Sequence, residues 1–278
     1  FRSDNEEVVL ERGNIVGLLK PALEQKRVRD KASKHYDAIA EQYKRAKLIP
    51  WRHHIEQYSL LTLLGDVSGK SVLDLACGEG HYTRIVRALG AAHAVGVDLS
   101  AKMIELAEAS EKEKALGVRY KTGDARTTQF PEPFDVVVAA YLLNYARTAE
   151  ELLAMYQAIA RNLKPGGRFV TVNDNPLQRP ESFHSTRKYG FVKEACGEIR
   201  NGTPLRYTIY LENETFQFDN YHLDIATHER ALREAGLDGA TWHSLSLAPA
   251  EASGPNRQYW DDFFADPSVI MLECHKPL

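Results

Sequence analysis

The sequence predicts an α/β fold in which a mostly parallel sheet is flanked by helices, and three observations support this class. Short apolar segments such as Val72 to Leu75 alternate with stretches of helical periodicity such as His81 to Leu89. The segment from Phe134 continues, after Asp135, in an unbroken apolar run from Val136 to Ala140, which is typical of a parallel strand buried on both faces. Glycine turns follow the apolar segments, and backbone N–H groups can meet a ligand at such turns.

The composition limits the functional classes. The chain has 278 residues, of which 44% are hydrophobic and 26% are charged, and its net charge is -3. This length accommodates one α/β domain with an added subdomain, and the slightly acidic balance argues against nucleic-acid binding. Cys77, Cys196 and Cys274 indicate neither a disulfide framework nor a metal site. We therefore expect a reducing, cytoplasmic setting, and the apolar runs are too short to span a membrane.

Changes in composition and periodicity along the chain predict five parts. A basic stretch from Lys26 to Lys31 is either a solvated helix face or a contact with a second subunit. The predicted parts are an N-terminal arm (1–33), cap helices (34–69), a ligand-binding core (70–177), an aromatic-rich substrate-cap insertion (178–222) and the C-terminal part of the core (223–278).

Several elements can be placed within these parts. The second cap helix is expected from Trp51 to Leu64, and Leu163 to Val170 is expected to form a turn and the fifth strand. Alternating residues in the insertion predict a strand pair, and a final antiparallel pair is expected in the C-terminal part. These pairs are Leu205–Tyr210 with Glu214–Phe218, and Ala240–Leu247 with Val269–His275.

The turn from Asp74 to Gly80 is the first candidate binding feature. Its pattern is Asp-x-Ala-x-Gly-x-Gly, and Gly78 and Gly80 lack Cβ atoms, so a ligand can lie on the backbone there. Asp74 can accept hydrogen bonds from a cationic or N–H-bearing group. A dinucleotide site favours a third glycine or alanine where this chain has Thr83. This turn alone leaves two interpretations, a dinucleotide site and a site for S-adenosylmethionine (SAM).

Two further acids end the next predicted strands. Asp98 can accept both hydroxyls of a ribose, and its alternative role is to cap the helix that follows. Asp124 can accept hydrogen bonds from an adenine amino group, while the Ala125 backbone N–H serves a ring nitrogen. Met103 either covers the adenine or belongs to the core.

These features together resemble class I SAM-dependent methyltransferases. The resemblance implies a Rossmann-like, seven-stranded, mostly parallel sheet in the order 3-2-1-4-5-7-6, with N-terminal cap helices and an inserted β-rich substrate cap. It also implies the cofactor SAM, with S-adenosylhomocysteine as its product. The features that carry it, in chain order, are Asp74–Gly80, Asp98, Gly123–Ala125 and Lys164–Gly167.

A narrower likeness extends from Tyr36 onward. The segments Asp74–Gly80, Leu142–Ala146 and Asn173–Pro176 resemble toxoflavin synthase-like small-molecule methyltransferases. The pattern Tyr-Asp-x-x-Ala-x-x-Tyr from Tyr36 resembles a cap helix whose tyrosines close over SAM, and its alternative role is a core-facing stripe. Aromatic faces can hold a sulfonium without acting as nucleophiles. The implied SAM-binding residues are Tyr36, Tyr43, Asp74, Ala76, Gly78, Gly80, Asp98, Leu99, Met103, Gly123, Asp124, Ala125, Ala140 and Tyr141.

The resemblance implies methyl transfer to a nitrogen or carbon of a small secondary metabolite, without a metal. A base helps when the acceptor is weakly acidic, and the candidates are His184, Asp174 and Tyr145. Expected partners are a small-molecule substrate and a second copy of the chain bound through the N-terminal arm, but neither nucleic acid nor a membrane. An NAD-type oxidoreductase and a non-catalytic SAM-binding scaffold are the alternative functions.

Overall fold

The protein is described by a computed structural model that covers residues 30, 33–255 and 257–278. Most of the predicted N-terminal arm, including its basic stretch and the proposed subunit contact, lies outside the described residues.

Two sheets are formed by the described residues. The strands of the main sheet are β1 (Ser71–Leu75), β2 (His93–Asp98), β3 (Arg119–Thr122), β4 (Phe134–Val138), β5 (Leu163–Asp174), β9 (Asp238–His243) and β10 (Val269–His275). The strands of the insertion are β6 (Phe191–Ala195), β7 (Pro204–Tyr210) and β8 (Thr215–Tyr221).

The main sheet has seven strands in the order β3-β2-β1-β4-β5-β10-β9. Strands β1 to β5 pair in parallel, whereas β10 runs antiparallel to both β5 and β9. When the insertion strands β6–β8 are left out of the count, this is the predicted order 3-2-1-4-5-7-6. The predicted fold class is confirmed.

Helices cover both faces of the main sheet and the entrance to its carboxyl edge. A π-helical turn, Arg52–Gln57, precedes α2, and a 3-10 turn, Leu143–Tyr145, follows β4. The helices are α1 (33–46), α2 (Tyr58–Leu64), α3 (His81–Ala88), α4 (Ala101–Glu113), α5 (Ala149–Asn162), α6 (Ile225–Glu234), α7 (Pro249–Ala252) and α8 (Asp261–Ala265).

The alternation of side chains along each strand separates two apolar clusters. Val72 packs with the cap helices and the insertion, while its neighbour Leu73 packs in the cluster that contains α5. Val136 and Val137 divide in the same way. Because successive residues of a strand point to opposite faces, an unbroken apolar run fills both clusters. The cap helices and the insertion consequently share one side of the sheet.

The insertion is a separate antiparallel sheet in the order β6-β7-β8. The pairing of β7 with β8 agrees with the sequence prediction, but β6 was not predicted. Its sequence contains Lys193, which is buried, with its Nζ donating to Asp174 Oδ1 at 2.7 Å. A buried lysine needs such a partner. The partner lies on β5, too distant in sequence for the local pattern to reveal it.

Three elements differ from the predictions, one in its type of helix and two in where they end. The second cap helix is not a regular α-helix throughout, because it begins with the π-helical turn at Arg52–Gln57. The fifth strand continues beyond Val170 to Asp174, held by pairing with β10. Strand β9 ends at His243 rather than Leu247.

Candidate active site

A cavity of about 620 Å³ lies at the carboxyl ends of β1, β2 and β4, between α1 and β8. In open parallel sheets, ligands bind at this edge where the strand order reverses. The structure brings most of the predicted site residues together here. Those that line the cavity are Tyr36, Tyr43, Ala76, Gly78, Asp98, Leu99, Met103, Gly123, Asp124, Ala125, Ala140, Tyr141 and Tyr145.

Asp98 ties the glycine turn to the end of β2. Its Oδ2 accepts the Gly78 backbone N–H at 2.8 Å, and its Oδ1 accepts the Ser100 backbone N–H at 2.9 Å. Gly78 has a φ of +57°, and a Cβ added there would meet nothing within 4 Å, so the backbone is open to a ligand. Helix α4 is capped by the Ser100 hydroxyl, which accepts the Met103 N–H, and not by Asp98.

Burial controls the charge of the Asp98 carboxyl. Desolvation raises its pKa from 3.8 to about 6, although the two backbone N–H groups oppose this shift. A ligand that donates hydroxyl hydrogens to this carboxylate favours its ionised form.

Asp74 and Gly80 do not line the cavity. Asp74 is buried, its Oδ2 accepts the Thr83 hydroxyl at 2.7 Å, and burial raises its pKa to about 7. Gly80 has a φ of +84°, and a Cβ there would lie 2.3 Å from the Tyr120 hydroxyl oxygen. The glycine at position 80 is therefore required by the turn and by packing against Tyr120.

Asp124 faces the cavity together with a residue that the sequence analysis missed. The Asp124 carboxylate accepts the Arg126 backbone N–H at 2.9 Å and the guanidinium Nη2 at 2.7 Å. Arg126 also lines the cavity. This pairing fixes the carboxylate at the end of β3.

Helix α1 crosses the cavity and is attached on both sides. On the core side, the Ser33 hydroxyl donates to the Leu99 carbonyl at 3.3 Å, and the Ser100 hydroxyl donates to Asp37 Oδ1 at 2.5 Å. On the insertion side, His35 Nε2 donates to the Gln217 carbonyl at 3.1 Å. The helix thus bridges β2 and β8 above the cavity.

Tyrosines of α1 form the inner wall with residues that follow β4. The Tyr36 ring lies edge-on to Tyr43 and to Tyr145, with centroids 5.7 Å apart in both cases. The Tyr36 and Tyr145 hydroxyls are hydrogen-bonded to each other. Burial raises the pKa of both phenols well above its ordinary value. Tyr145 therefore remains protonated at neutral pH.

Behind this wall lies a buried ionic network that the sequence analysis did not identify. Glu56 accepts Arg52 Nη1 at 2.6 Å and the Tyr82 hydroxyl at 2.7 Å, and it also accepts the Tyr141 hydroxyl. Burial raises the pKa of Glu56, but Arg52, Lys47 and the two hydroxyls outweigh this and hold it below its usual value. The network orients Tyr141, which has the unusual φ of +67° for a residue with a side chain.

The three predicted catalytic residues are not brought together. Tyr145 lines the cavity, but Asp174 is buried elsewhere, bonded to Lys193 Nζ and to the Tyr207 hydroxyl. The side chain of His184 is 66% exposed and lies 3.5 Å from Glu194. The structure therefore gives no support to His184 or Asp174 as a base for a reaction in this cavity.

The insertion and α5 supply a rim that the sequence analysis also missed. The alternation of residues in β7 and β8 predicted these strands but not which other segments lie beside them. The additional lining residues are His35, Arg126, Leu142, Arg147, Glu151, Met155, Arg206, Gln217, Phe218, Asp219 and Tyr221.

The described residues were searched for a membrane-spanning helix and for a group of metal ligands, and they contain neither. No helix there is both long enough and apolar enough to cross a membrane. Within the same residues, no three histidine, cysteine or acidic side chains are grouped so that they could hold a metal ion.

Comparisons with known proteins agree with this geometry. Residues 72–167 match a family model described as a methyltransferase domain. The chain is 33% identical over 143 residues to a demethylmenaquinone methyltransferase of Lactococcus lactis, covering 49% of this chain and 56% of that protein. It is 31% identical over 115 residues to a ubiquinone biosynthesis O-methyltransferase of Pseudomonas fluorescens, covering 40% and 48% respectively. The chain thus spans about half the length of these curated relatives.

A solved structure resembles most of the fold. It is a SAM-dependent methyltransferase from Mesorhizobium loti, with a TM-score of 0.58 and 20% identity over 80% of this chain and 97% of that one. The sheet order and the cavity at its carboxyl edge define a Rossmann-like fold. Residues 72–167 therefore form a methyltransferase domain, and the fold that contains it resembles that of a SAM-dependent methyltransferase. The likeness to toxoflavin synthase-like enzymes stays a prediction.

Proposed function

We propose that this protein transfers a methyl group from SAM to a nitrogen or carbon atom of a small secondary metabolite. The observation that carries the proposal is the cavity itself, which joins Asp98 and the open backbone at Gly78 to a wall of tyrosines. Its volume of about 620 Å³ lies in the usual range for small-molecule sites, about 300–1,000 Å³.

The residues of the cavity fit an adenosyl ligand. In this proposal Asp98 accepts the ribose hydroxyls, and Asp124 and Ala125 contact the adenine. Gly78 and Ala76 accommodate the methionine portion, since Gly78 presents no side chain. Bound SAM supplies an electrophilic methyl group on a sulfonium. The rings of Tyr36, Tyr43 and Tyr141 would stabilise that cation.

The same residues constrain how the acceptor loses its proton. Tyr145 lies in the cavity but is protonated at neutral pH, and Asp174 and His184 lie elsewhere. We infer that the protein acts mainly by holding the acceptor in a near-attack position. The acceptor would then bind already ionised, or it would release its proton to water.

Binding and turnover measurements test this proposal. In calorimetry, we expect SAM and S-adenosylhomocysteine to bind, and the nicotinamide dinucleotides NAD and NADP not to bind. With SAM carrying a labelled methyl group, we expect label transfer to a member of a panel of aromatic hydroxy and N-heterocyclic compounds. Absence of S-adenosylhomocysteine binding refutes the proposal. Binding with no label transfer to any panel member would favour the scaffold interpretation.

The affinity for S-adenosylhomocysteine should depend on pH through Asp98. The pKa of Asp98 in the free protein is about 6, and the ribose hydroxyls require the carboxylate. The Kd should therefore be constant well above pH 6 and should rise up to about tenfold per unit below it. Calorimetry at pH 5, 6, 7 and 8 measures this. Asp98→Asn should bind weakly without that rise, and an equal rise in this variant would contradict the assignment.

A further inference from the structure

Tyr36 and Tyr145 place a pair of hydroxyl groups inside the cavity of about 620 Å³. Tyr36 is on α1 and Tyr145 follows β4, and both side chains line the cavity. Their hydroxyls are hydrogen-bonded to each other, and either oxygen can be the donor. Two phenols carry two hydroxyl hydrogens, and this bond uses one of them. None of the described residues accepts the second hydrogen, so the pair can donate it to a molecule bound in the cavity.

The pair is a hydrogen-bond donor and not a base. Burial is the main cause that raises the pKa of both phenols, and the nearby Tyr43 and Asp98 add to it. Arg52 opposes this effect at Tyr145, but the pKa of Tyr145 stays well above its ordinary value. Both phenols therefore keep their hydrogens at neutral pH. A hydroxyl that accepts a hydrogen bond from its neighbour also becomes a stronger donor.

The charges around the pair do not by themselves attract an anion. Lys47 and Arg52 act on both Glu56 and Glu79 behind the tyrosine wall, so two cations are matched by two carboxyl groups. Asp98 lies close enough to disfavour an anion, and the sulfonium of bound SAM would offset it. A hydrogen donated by the tyrosine pair would then favour an oxyanion over a neutral ring, because hydrogen bonds to charged acceptors are stronger.

We propose that the hydroxyl pair of Tyr36 and Tyr145 holds the oxygen of an enolate or phenolate acceptor, and that the methyl group goes to a carbon or nitrogen atom conjugated with that oxygen. This inference rests on the proposed function, because it names the substrate class of the same cavity. A phenol hydroxyl in an apolar site is an effective donor to an enolate oxygen. The oxygen that accepts this hydrogen faces the tyrosines and is less available to the methyl group.

The transfer step needs no reactant beyond SAM and the ionised acceptor. The electron pair of the conjugated carbon or nitrogen forms the new bond to the methyl carbon. The electron pair of the sulfur–methyl bond stays on sulfur, which gives S-adenosylhomocysteine. The negative charge on the oxygen is consumed, and the oxygen becomes a neutral carbonyl. If the methylated carbon still carries a hydrogen, that hydrogen leaves to water as a proton and the enol is restored.

Binding of a coloured probe tests the proposal. The probe is 4-nitrophenol, whose phenolate absorbs visible light, so absorbance reports whether the bound probe is ionised. Nitrobenzene is the control probe, because it has the same ring and nitro group without the oxygen. Both Kd values are measured at pH 8, with and without saturating S-adenosylhomocysteine. We expect the wild-type protein to bind the probe as the phenolate.

Removing the two hydroxyls should remove the preference for the phenolate. Tyr36→Phe with Tyr145→Phe keeps both rings, and the ratio of the nitrobenzene Kd to the nitrophenolate Kd should fall at least tenfold. At least one of the single variants should lose threefold or more, which keeps the test available if the double variant does not fold. The matched control is Tyr210→Phe, on β7 and not among the residues that line the cavity, which should keep the wild-type ratio.

The remaining outcomes count against one proposal or the other. An unchanged ratio in the folded double variant, binding of the protonated probe alone, or no binding of the probe would overturn the oxyanion site. A loss of S-adenosylhomocysteine affinity as large as the loss for the probe would assign the hydrogen to the cofactor and also overturn it, as would methylation on the held oxygen itself. If the wild-type protein binds the phenolate through the pair but does not bind S-adenosylhomocysteine, the methyltransferase function fails and the oxyanion site stands.

Discussion

Replacing Asp98 by alanine should weaken S-adenosylhomocysteine binding by more than about 100-fold. In the proposed binding mode the variant loses the acceptor for two ribose hydroxyls, and hydrogen bonds to a charged group contribute about 1.5–3 kcal/mol each. Two such bonds correspond to about 3–6 kcal/mol, and each 1.4 kcal/mol is about tenfold in Kd. The variant also leaves the Gly78 and Ser100 N–H groups without their carboxylate partner, which loosens the turn beneath the ligand. Calorimetry measures the Kd.

Two comparisons make this result specific to Asp98. Asp98→Asn keeps the shape and one acceptor oxygen but not the charge, so its loss should be smaller, about 10–100-fold by the same energies. Glu113→Ala removes an exposed carboxylate at the far end of α4 and should bind normally. Thermal unfolding should show that all three variants are folded. A folded Asp98→Ala protein with nearly normal affinity would disprove the assignment of Asp98 to the ribose.

Replacing Glu56 by alanine should destabilise the fold by about 3–5 kcal/mol, because it leaves a buried cation without its partner. Arg52 is 6% exposed and Glu56 is fully buried, and their charged atoms are 2.6 Å apart. The Tyr82 and Tyr141 hydroxyls lose their acceptor at the same time. The free energy of unfolding in urea measures the effect.

A double variant distinguishes the value of the pair from the cost of breaking it. Arg52→Leu with Glu56→Leu removes both charges, and apolar replacement of a buried pair is often nearly neutral. We therefore expect the double variant to be more stable than Glu56→Ala. A loss of less than about 1 kcal/mol in the free energy of unfolding of Glu56→Ala would contradict the expected penalty for an uncompensated buried charge. The network would then contribute little to the stability of the fold.

Local sequence was sufficient for features that depend on one strand and the turn after it. Gly78 and Asp98 could be placed because the strand–turn–helix unit determines where their backbone and side chain lie. The sheet class followed from the double-sided burial of β4, whose successive valines enter two clusters. These inferences needed no knowledge of contacts between distant segments.

Features formed by contacts between distant segments could not be predicted from local sequence. Glu56 meets Tyr82 and Tyr141 only because the cap, α3 and the end of β4 converge, and sequence gave no signal of that convergence. Lys193 on β6 reads as a surface residue until its partner Asp174 on β5 is known. His184 was attractive as a base because of its residue type, but exposure on the insertion separates it from the cavity.

The attachment of α1 to both sides of the cavity has a kinetic consequence. Its contacts with Leu99 and Ser100 on the core, and with Gln217 on the insertion, hold it over the cavity. If release of a product from the proposed site follows opening of one end of this helix, that opening contributes to the turnover time. The turnover number would then report how often the helix opens, and chemistry could be fast without making the enzyme fast.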